Sequence, residues 1–442
     1  MNATWMAKNV SPELLKVAER AERDPSKRFL SLAHLIDEKA LVRAFERLRK
    51  DAAVGVDGIT KEQYGQQLSD NVRGLHERLV SGRYRHQPIR RVHIPKEKGK
   101  TRPIGVSCIE DKLVQGAVRE VLEAAYEPVF ADCSYGFRPG KSAHDAIRAL
   151  HQSAMIGEIN WVLEADIVSY FDSIDRKLLM EMLRRRIADT SLLRLVGKCL
   201  HVGVLDHEEY SEPEVGTAQG SVLSPLLGNI YLHHVLDEWF AAEVKPRLRG
   251  RARLIRYADD LVVGFMFRED AEAVLVELRE RMARYGLRLH PEKTRIVAFQ
   301  RPRRGQQGGK GPETFDFLGF TAYWRRTRTG RWFLGLKTRA ERLRRSMQAV
   351  RDYCRRHRHA DVRQQHAGLR RRLQGHYNYF GVNGNMDAMQ RLRFAAQVAW
   401  HKWLNRRSQR SRLSWDRFNA LLKEFPLPAP TIRVQVWRAV PS

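Results

Sequence analysis

The chain has 442 residues, with 79 Lys and Arg against 51 Asp and Glu and a formal net charge of +28, so the first expectation is a polyanionic partner and two or three domains. Four scattered cysteines without a CxxC pair argue against a disulfide framework or a zinc ribbon and suit a reducing cytosol. No apolar run approaches the roughly 20 residues of a membrane span, and Met1 to Val10 lacks the apolar core of a signal peptide, so a soluble, cytoplasmic protein with no membrane partner is expected.

Residues 1–35 read as a mostly helical extension, with a helix start at Ser11-Pro12-Glu13. Asp37 to Lys50 continues as an amphipathic helix with Leu41, Phe45 and Leu48 at helical spacing. Ala53-Val54-Gly55-Val56-Asp57-Gly58-Ile59 is a Gly-punctuated loop that by itself is an ordinary turn. Arg90 to Val106 then holds two β-rich runs around Lys96-Glu97-Lys98-Gly99-Lys100, a hairpin with a cationic tip. Such a tip is either a solvated turn or a set of cations for the β and γ phosphates of a nucleotide.

Ile109 to Tyr126 is helical, with Leu113, Val114, Ala117, Val118, Val121 and Leu122 as its apolar face. Phe130 to Ser142, rich in Gly, Pro and aromatics, suggests a phosphate loop, but Gly136 and Gly140 stand too close for a Walker sequence. Arg138 within it serves either the loop itself or a nucleic-acid backbone.

Two carboxylate elements follow. An apolar strand, Trp161-Val162-Leu163-Glu164-Ala165, runs into Asp166. Further on, Leu254-Ile255 and Leu261-Val262-Val263 read as short buried strands joined by a turn at Ala258-Asp259-Asp260. Adjacent like charges against a core are costly unless a cation holds them. Mg2+ takes oxygen ligands and commonly binds one or two carboxylates plus substrate phosphates. A strand-end carboxylate beside a hairpin with two more is the arrangement that two-metal phosphoryl transfer requires.

Between these elements lies Gly216-Thr217-Ala218-Gln219-Gly220-Ser221-Val222-Leu223-Ser224-Pro225-Leu226-Leu227. The Asp166 strand, this Gln-Gly-x-x-x-Ser-Pro-Leu-Leu block and Tyr257-Ala258-Asp259-Asp260 resemble, in order and spacing, the palm motifs of a reverse transcriptase of the bacterial group II intron-encoded kind. The resemblance covers roughly residues 35–420. It implies an α+β right-hand polymerase, with fingers and palm followed by an all-α thumb or maturase X domain. The expected division is an extension over 1–35, fingers over 36–160, palm over 161–334 and a basic helical thumb over 335–442.

The resemblance also implies roles. Asp166, Asp259 and Asp260 are the catalytic carboxylates and, with Ile167, the ligands of two Mg2+ ions, for which Mn2+ can substitute. Lys96, Arg102, Phe171, Gln219 and Lys293 face the incoming dNTP. Of these, Phe171 excludes the 2′-hydroxyl of ribonucleotides, and Lys293 can protonate pyrophosphate. Arg138, Tyr257, Arg371 and Arg372 contact nucleic acid. The Gly-x-Asp-Gly loop at Gly55 supports the template side, and Phe315 to Phe320 resembles a primer-grip hairpin. Where the family commonly has Pro, this chain has Ala218, which loosens the approach to Gln219. Asp172 and Asp175 are assigned to structure, with Asp175 or Ser173 capping a helix over Arg176 to Arg186. Ala271 to Tyr285 reads as a further amphipathic helix, Ile296 to Phe299 as a strand, and Gly305 to Gly311 as a flexible loop.

From Thr321 to Ala420 there are 25 Lys or Arg against 5 Asp or Glu, so +20 of the charge sits there. Helical periods interleaved with Trp324, Trp332, Tyr353, Tyr377, Tyr379, Phe380, Trp400, Trp403 and Trp415 suit a thumb that neutralises phosphates. Leu373 to Gly381 resembles the Arg-Gly-aromatic-Asn-Tyr segment of the maturase X domain. His357 and His359 lack cysteine partners, and no metal site is assigned there. The chain ends soon after Trp437 without a Cys-pair and His-Asn-His endonuclease module, so cleavage of a second target strand by such a domain is not expected.

The implied partners are an RNA template (including structured intron RNA), a DNA primer or target, and dNTPs. The expected activity is RNA-directed DNA polymerisation, together with help in intron splicing and mobility. The alternatives are a maturase acting mainly as an RNA-binding splicing cofactor, or a domesticated enzyme of DNA repair or phage defence.

Overall fold

Ser11 and Asp37 start helices as their residue types predict. Ser11 Oγ accepts from the Leu14 amide at 3.3 Å before helix Pro12–Arg23, and Asp37 accepts from the Ala40 amide at 2.7 Å before helix Glu38–Arg47. The computed structural model describes residues 11–95, 101–206, 209–211, 215–217, 220–302, 313–327, 329–408 and 412–437. The hairpin tip with Lys96, the positions Ala218 and Gln219, and the Gly305 to Gly311 loop therefore lie outside the described residues. Both early helices pack on helix Ile109–Tyr126, whose buried residues lie all around it, as a helix enclosed by a core requires.

The strands are β1 (Ile89–Pro95), β2 (Thr101–Val106), β3 (Trp161–Asp166), β4 (Val204–Asp206), β5 (Glu209–Ser211), β6 (Ala252–Tyr257), β7 (Asp260–Phe265), β8 (Arg295–Ala298), β9 (Phe315–Phe317), β10 (Phe320–Arg326) and β11 (Trp332–Thr338). Among the described residues they form three sheets, ordered β2-β1-β4-β5, β6-β7-β3-β8 and β11-β10-β9. The first contains the expected antiparallel hairpin of β1 and β2, extended by β4 running parallel to β1.

The second sheet carries the acidic motifs, and side-chain alternation divides it between two cores. Leu163, Ala165, Leu254, Leu261, Val263 and Phe265 face the larger core beneath helix Ile109–Tyr126. Val162, Ile255, Val262 and Val297 face a second core shared with the β9–β11 sheet and helix Ala143–Met155. Asp166 and Asp260 have the parity of Val162 and Val262, so they emerge on the side where the third sheet packs.

Helices Ala340–Arg356, Val362–Phe380, Met386–Leu404 and Trp415–Glu424 enclose a third core around Tyr353, Leu373, Tyr377, Trp400 and Phe418. Three of the aromatics expected among the phosphate-binding helices, Tyr353, Tyr377 and Trp400, are thus interior. Trp324 and Trp332 stand on β10 and β11 instead. Phe320, Ala322 and Trp324 alternate inward with period two, a strand pattern that the surrounding arginines obscured. β11 runs through position 335 to Thr338, so the helical part begins at Ala340. Among the described residues no helix is long and apolar enough to cross a membrane.

Candidate active site

Antiparallel register sets Asp166 directly opposite Asp260 across β3 and β7. The pair between β6 and β7 closes with Tyr257 opposite Asp260, which leaves Ala258 and Asp259 as the turn. That turn is tight: Ala258 has φ +56°, in the left-handed region that alanine rarely occupies. Solvent reaches Asp259 and, more fully, Asp260. Both carboxyls are nevertheless pushed up. For Asp259 the causes are surrounding protein and then the Asp166 charge, offset by Arg102 and Arg256. Asp260 rises to about 6 through desolvation and the charges of Asp259 and Asp166, against the pull of Lys293 and Arg342.

A divalent cation is the group that would relieve this crowding, and three carboxylates are hard oxygen donors suited to Mg2+. In the arrangement as it stands, no three His, Cys, Asp or Glu side chains among the described residues converge closely enough to hold an ion. The Asp166 carboxylate is instead turned to Lys293, whose Nζ lies 2.5 Å from Oδ2. The donor chemistry therefore fits, with a side-chain ammonium standing on one of the three ligands. Beside Asp166, the bridge between Ile167 and Leu289 uses the Asp166 carbonyl and the Val168 amide, so the Ile167 carbonyl is not engaged in it.

The other expected residues fall at different distances from this centre. Arg102, exposed on β2, acts electrostatically on both Asp259 and Asp172, so the first sheet presents one cation towards the acidic hairpin. Gly220 comes so close to β2 that an added Cβ would sit 2.5 Å from the Gly105 carbonyl oxygen, which ties the Gln-Gly block to that sheet. Phe171 lies in the short helical turn Tyr170–Ser173 after Asp166, half-buried, and its carbonyl accepts from the Thr217 amide at 2.7 Å. Asp175 caps helix Arg176–Arg186, accepting from Lys177 and Leu178 amides.

Of the two roles open to Arg138, the loop itself or a nucleic-acid backbone, its contacts serve the first. It is 8% exposed, and its guanidinium donates to Glu127 Oε1 at 2.9 Å and to the carbonyls of Ala131 and Ser134. Its donors brace the loop from within, and this geometry gives a nucleic-acid contact no support. Tyr257 leans on Phe137 with ring centroids 6.3 Å apart. Arg371 and Arg372 are both exposed on helix Val362–Phe380, and the Arg372 guanidinium also lies 3.9 Å from the Tyr353 ring centroid and donates to the Gly368 carbonyl.

Two features escaped sequence reasoning. Arg342, from the first turn of helix Ala340–Arg356, contributes positive potential at Asp260, although nothing in its local sequence separates it from neighbouring arginines. Arg256 is fully buried behind the hairpin and paired with buried Asp237. Its signal was present: an arginine at a core-facing position of an apolar strand requires a carboxylate partner. Removing one member of such a pair strands the other, at a cost of about 3–5 kcal/mol.

Residues 94–322, just over half of the chain, match the family model for reverse transcriptase (RNA-dependent DNA polymerase). Protein YkfC of Escherichia coli (strain K12) is 35% identical over 315 residues, covering 64% of this chain and 83% of that one. Group II intron-encoded protein LtrA of Lactococcus lactis subsp. cremoris is 37% identical over 205 residues, 46% of this chain and 34% of its own length. An uncharacterized 91 kDa protein in the cob intron of Schizosaccharomyces pombe is 35% identical over 236 residues, 53% and 29% respectively. The matched region thus spans about a third of the length of each intron protein.

Proposed function

The chain belongs to the reverse transcriptase (RNA-dependent DNA polymerase) family, and from that premise we propose that it extends a primer 3′-hydroxyl with dNTPs along an RNA template, using Asp166, Asp259 and Asp260. The observation that carries this reading is the register of Asp166 against Asp260 with Asp259 in the adjoining turn. In support, the three carboxylates lie at one end of the central strands β3 and β7, and Arg102 of β2 acts electrostatically on Asp259.

In the reaction the 3′-hydroxyl loses its proton to solvent and its oxygen attacks the α-phosphorus, the bond to the bridging oxygen of the β-phosphate breaks, and pyrophosphate leaves. Mg2+, or Mn2+ in its place, held by the three aspartates with the Ile167 carbonyl, would supply Lewis-acid stabilisation of the charge that develops. The protein's own groups do the rest. Arg102 and Lys96 bind the triphosphate, and the Arg102 fork suits two phosphate oxygens at once. Phe171 walls off the ribose 2′ position, and Gln219 contacts the nucleotide's base and sugar. Lys293 moves from Asp166 to the departing pyrophosphate and gives it a proton. Tyr257 and Arg371 meet the primer–template.

The concentration of positive charge from Thr321 to Ala420 and the similarity to a group II intron-encoded protein support a structured intron RNA as the natural partner, with assistance to splicing and mobility. Primer extension on RNA with dNTPs tests the reading. Extension that requires a divalent cation and disappears in Asp166→Asn is expected. Absence of extension by the wild type on every primed RNA overturns it.

A further inference from the structure

We propose that a buried trio, Arg256, Asp237 and Asn229, positions the Asp259 carboxylate by fixing the main chain of Ala258. The proposal rests on the polymerase reading for its consequence and on the structure for its geometry. An alanine at φ +56° holds that conformation only where its surroundings impose it. Here the imposing groups can be named.

One face of the imposition is the Arg256 guanidinium. Its Nε donates to Asp237 Oδ1 at 2.9 Å and its Nη2 to Asp237 Oδ2 at 2.5 Å. Nη1 is shared between Asn229 Oδ1 at 2.9 Å and the Ala258 carbonyl at 3.1 Å. The planar fork is therefore locked by a carboxylate on one edge while its remaining donor grips the turn two residues along.

The other face is the loop at Gly136. Asn229 Nδ2 donates to the Gly136 carbonyl at 2.6 Å, and a Cβ at Gly136 would lie 2.3 Å from the Ala258 nitrogen. The loop is stitched to β6 as well: the Arg256 amide donates to the Cys133 carbonyl, and the Tyr135 amide to the Arg256 carbonyl, each at 2.8 Å. Asn229 thus couples both faces, and the peptide on each side of Ala258 has a fixed neighbour.

The supporting helix departs from α geometry in the segment that makes this possible. Helix Ser224–Leu232 continues into a π-helical turn at His233–Asp237. At about 3.6 residues per turn, the span from Asn229 to Asp237 would overshoot two turns by about 80° and swing the carboxylate aside. The wider π turn removes most of that offset and brings both side chains to Arg256. A salt bridge that served packing alone would need neither the shared bond to Ala258 nor the wound-out turn. None of the three side chains is placed to touch substrate, so these are positioning residues.

The test compares wild type with Arg256→Lys and with the double variant Arg256→Met/Asp237→Leu. Four readouts are taken: thermal midpoint, RNA affinity, Mn2+ binding to the protein–primer–template complex by electron paramagnetic resonance, and kcat and KM for one dNTP addition. The double variant leaves no stranded buried charge and is expected to melt near the wild type. Its kcat should fall and its Mn2+ half-saturation rise, each by about tenfold, with RNA affinity and KM within about twofold of wild type. Arg256→Lys keeps the charge but loses the fork, so the same split is expected there, and it decides the matter if the double variant does not fold. Wild-type-like kcat and Mn2+ binding in either folded variant overturns the proposal. If the wild type itself extends no primer, the polymerase reading fails separately, and Mn2+ affinity alone decides whether the trio sets the turn.

Discussion

Lys293 and Asp166 form a 2.5 Å ion pair between an exposed lysine after the helix Arg268–Arg284 and the end of β3. The lysine thereby competes for the carboxylate that a metal ion needs, and its proposed partner during turnover is the pyrophosphate. These two roles separate on mutation. Lys293→Met is expected to leave Mn2+ binding unchanged or tighter while kcat drops by about 100-fold, the scale of a lost proton donor. Weaker Mn2+ binding in the variant would assign Lys293 to metal-site structure instead.

The contact between Gly136 and the hairpin makes a second expectation. Gly136→Ala forces a methyl group against the Ala258 nitrogen. Overpacking of this kind costs about 1–3 kcal/mol. The hairpin is the element able to yield, so thermal denaturation should show a modest loss while extension falls by about 100-fold, as a displacement near 1 Å would cause. A variant with full activity would show that the loop relaxes and the hairpin does not.

RNA binding should report the difference between Arg371 and Arg372. Affinity is expected to fall linearly on a log–log plot against salt, by about 0.7–0.9 per phosphate neutralised. Arg371→Ala should reduce the slope by about one such contact. Arg372→Ala should change it less, because that guanidinium is engaged by Tyr353 and the Gly368 carbonyl. Equal slopes in both variants would remove Arg371 from the interface.

Acid should destabilise the fold in a defined window. Burial lowers His151 and His376 to about 4 from the ordinary 6.5. An unfolded chain takes up protons below pH 6.5 that the folded one refuses until about 4, so stability is lost as pH falls between these values. At roughly 1.4 kcal/mol per unit, each histidine accounts for at most about 3 kcal/mol. Denaturant titrations across this window should show the slope flatten in His151→Phe, whose ring would keep the stack on Trp437.

What the sequence made legible follows from short-range physics. The helix over Ile109–Tyr126, the Ser11 and Asp175 caps, the strand ending in Asp166 and the hairpin around Asp259 are where periodicity and residue type placed them, except that Asp260 belongs to β7 and not to the turn. Misplacements arose where a local signal had two causes. Arginines around Trp324 and Trp332 resembled a basic helical surface, yet the inward alternation of Phe320, Ala322 and Trp324 makes a sheet. For Arg138 the loop left two roles open, and Glu127, eleven residues earlier, pairs with its guanidinium. For Arg256 the strand signalled that a carboxylate partner was needed, but not which one: Asp237 reaches it through a π turn that no propensity announces.

The most direct test of the account is single-nucleotide addition on a primed RNA template by wild type and Asp259→Asn, with RNA affinity measured on the same preparations. The account predicts Mg2+-dependent addition by the wild type, a loss of at least about 1,000-fold in the variant, on the scale of losing an active-site electrostatic group, and equal RNA binding. Addition by Asp259→Asn at the wild-type rate would contradict it, because the hairpin carboxylate would then have no part in the chemistry.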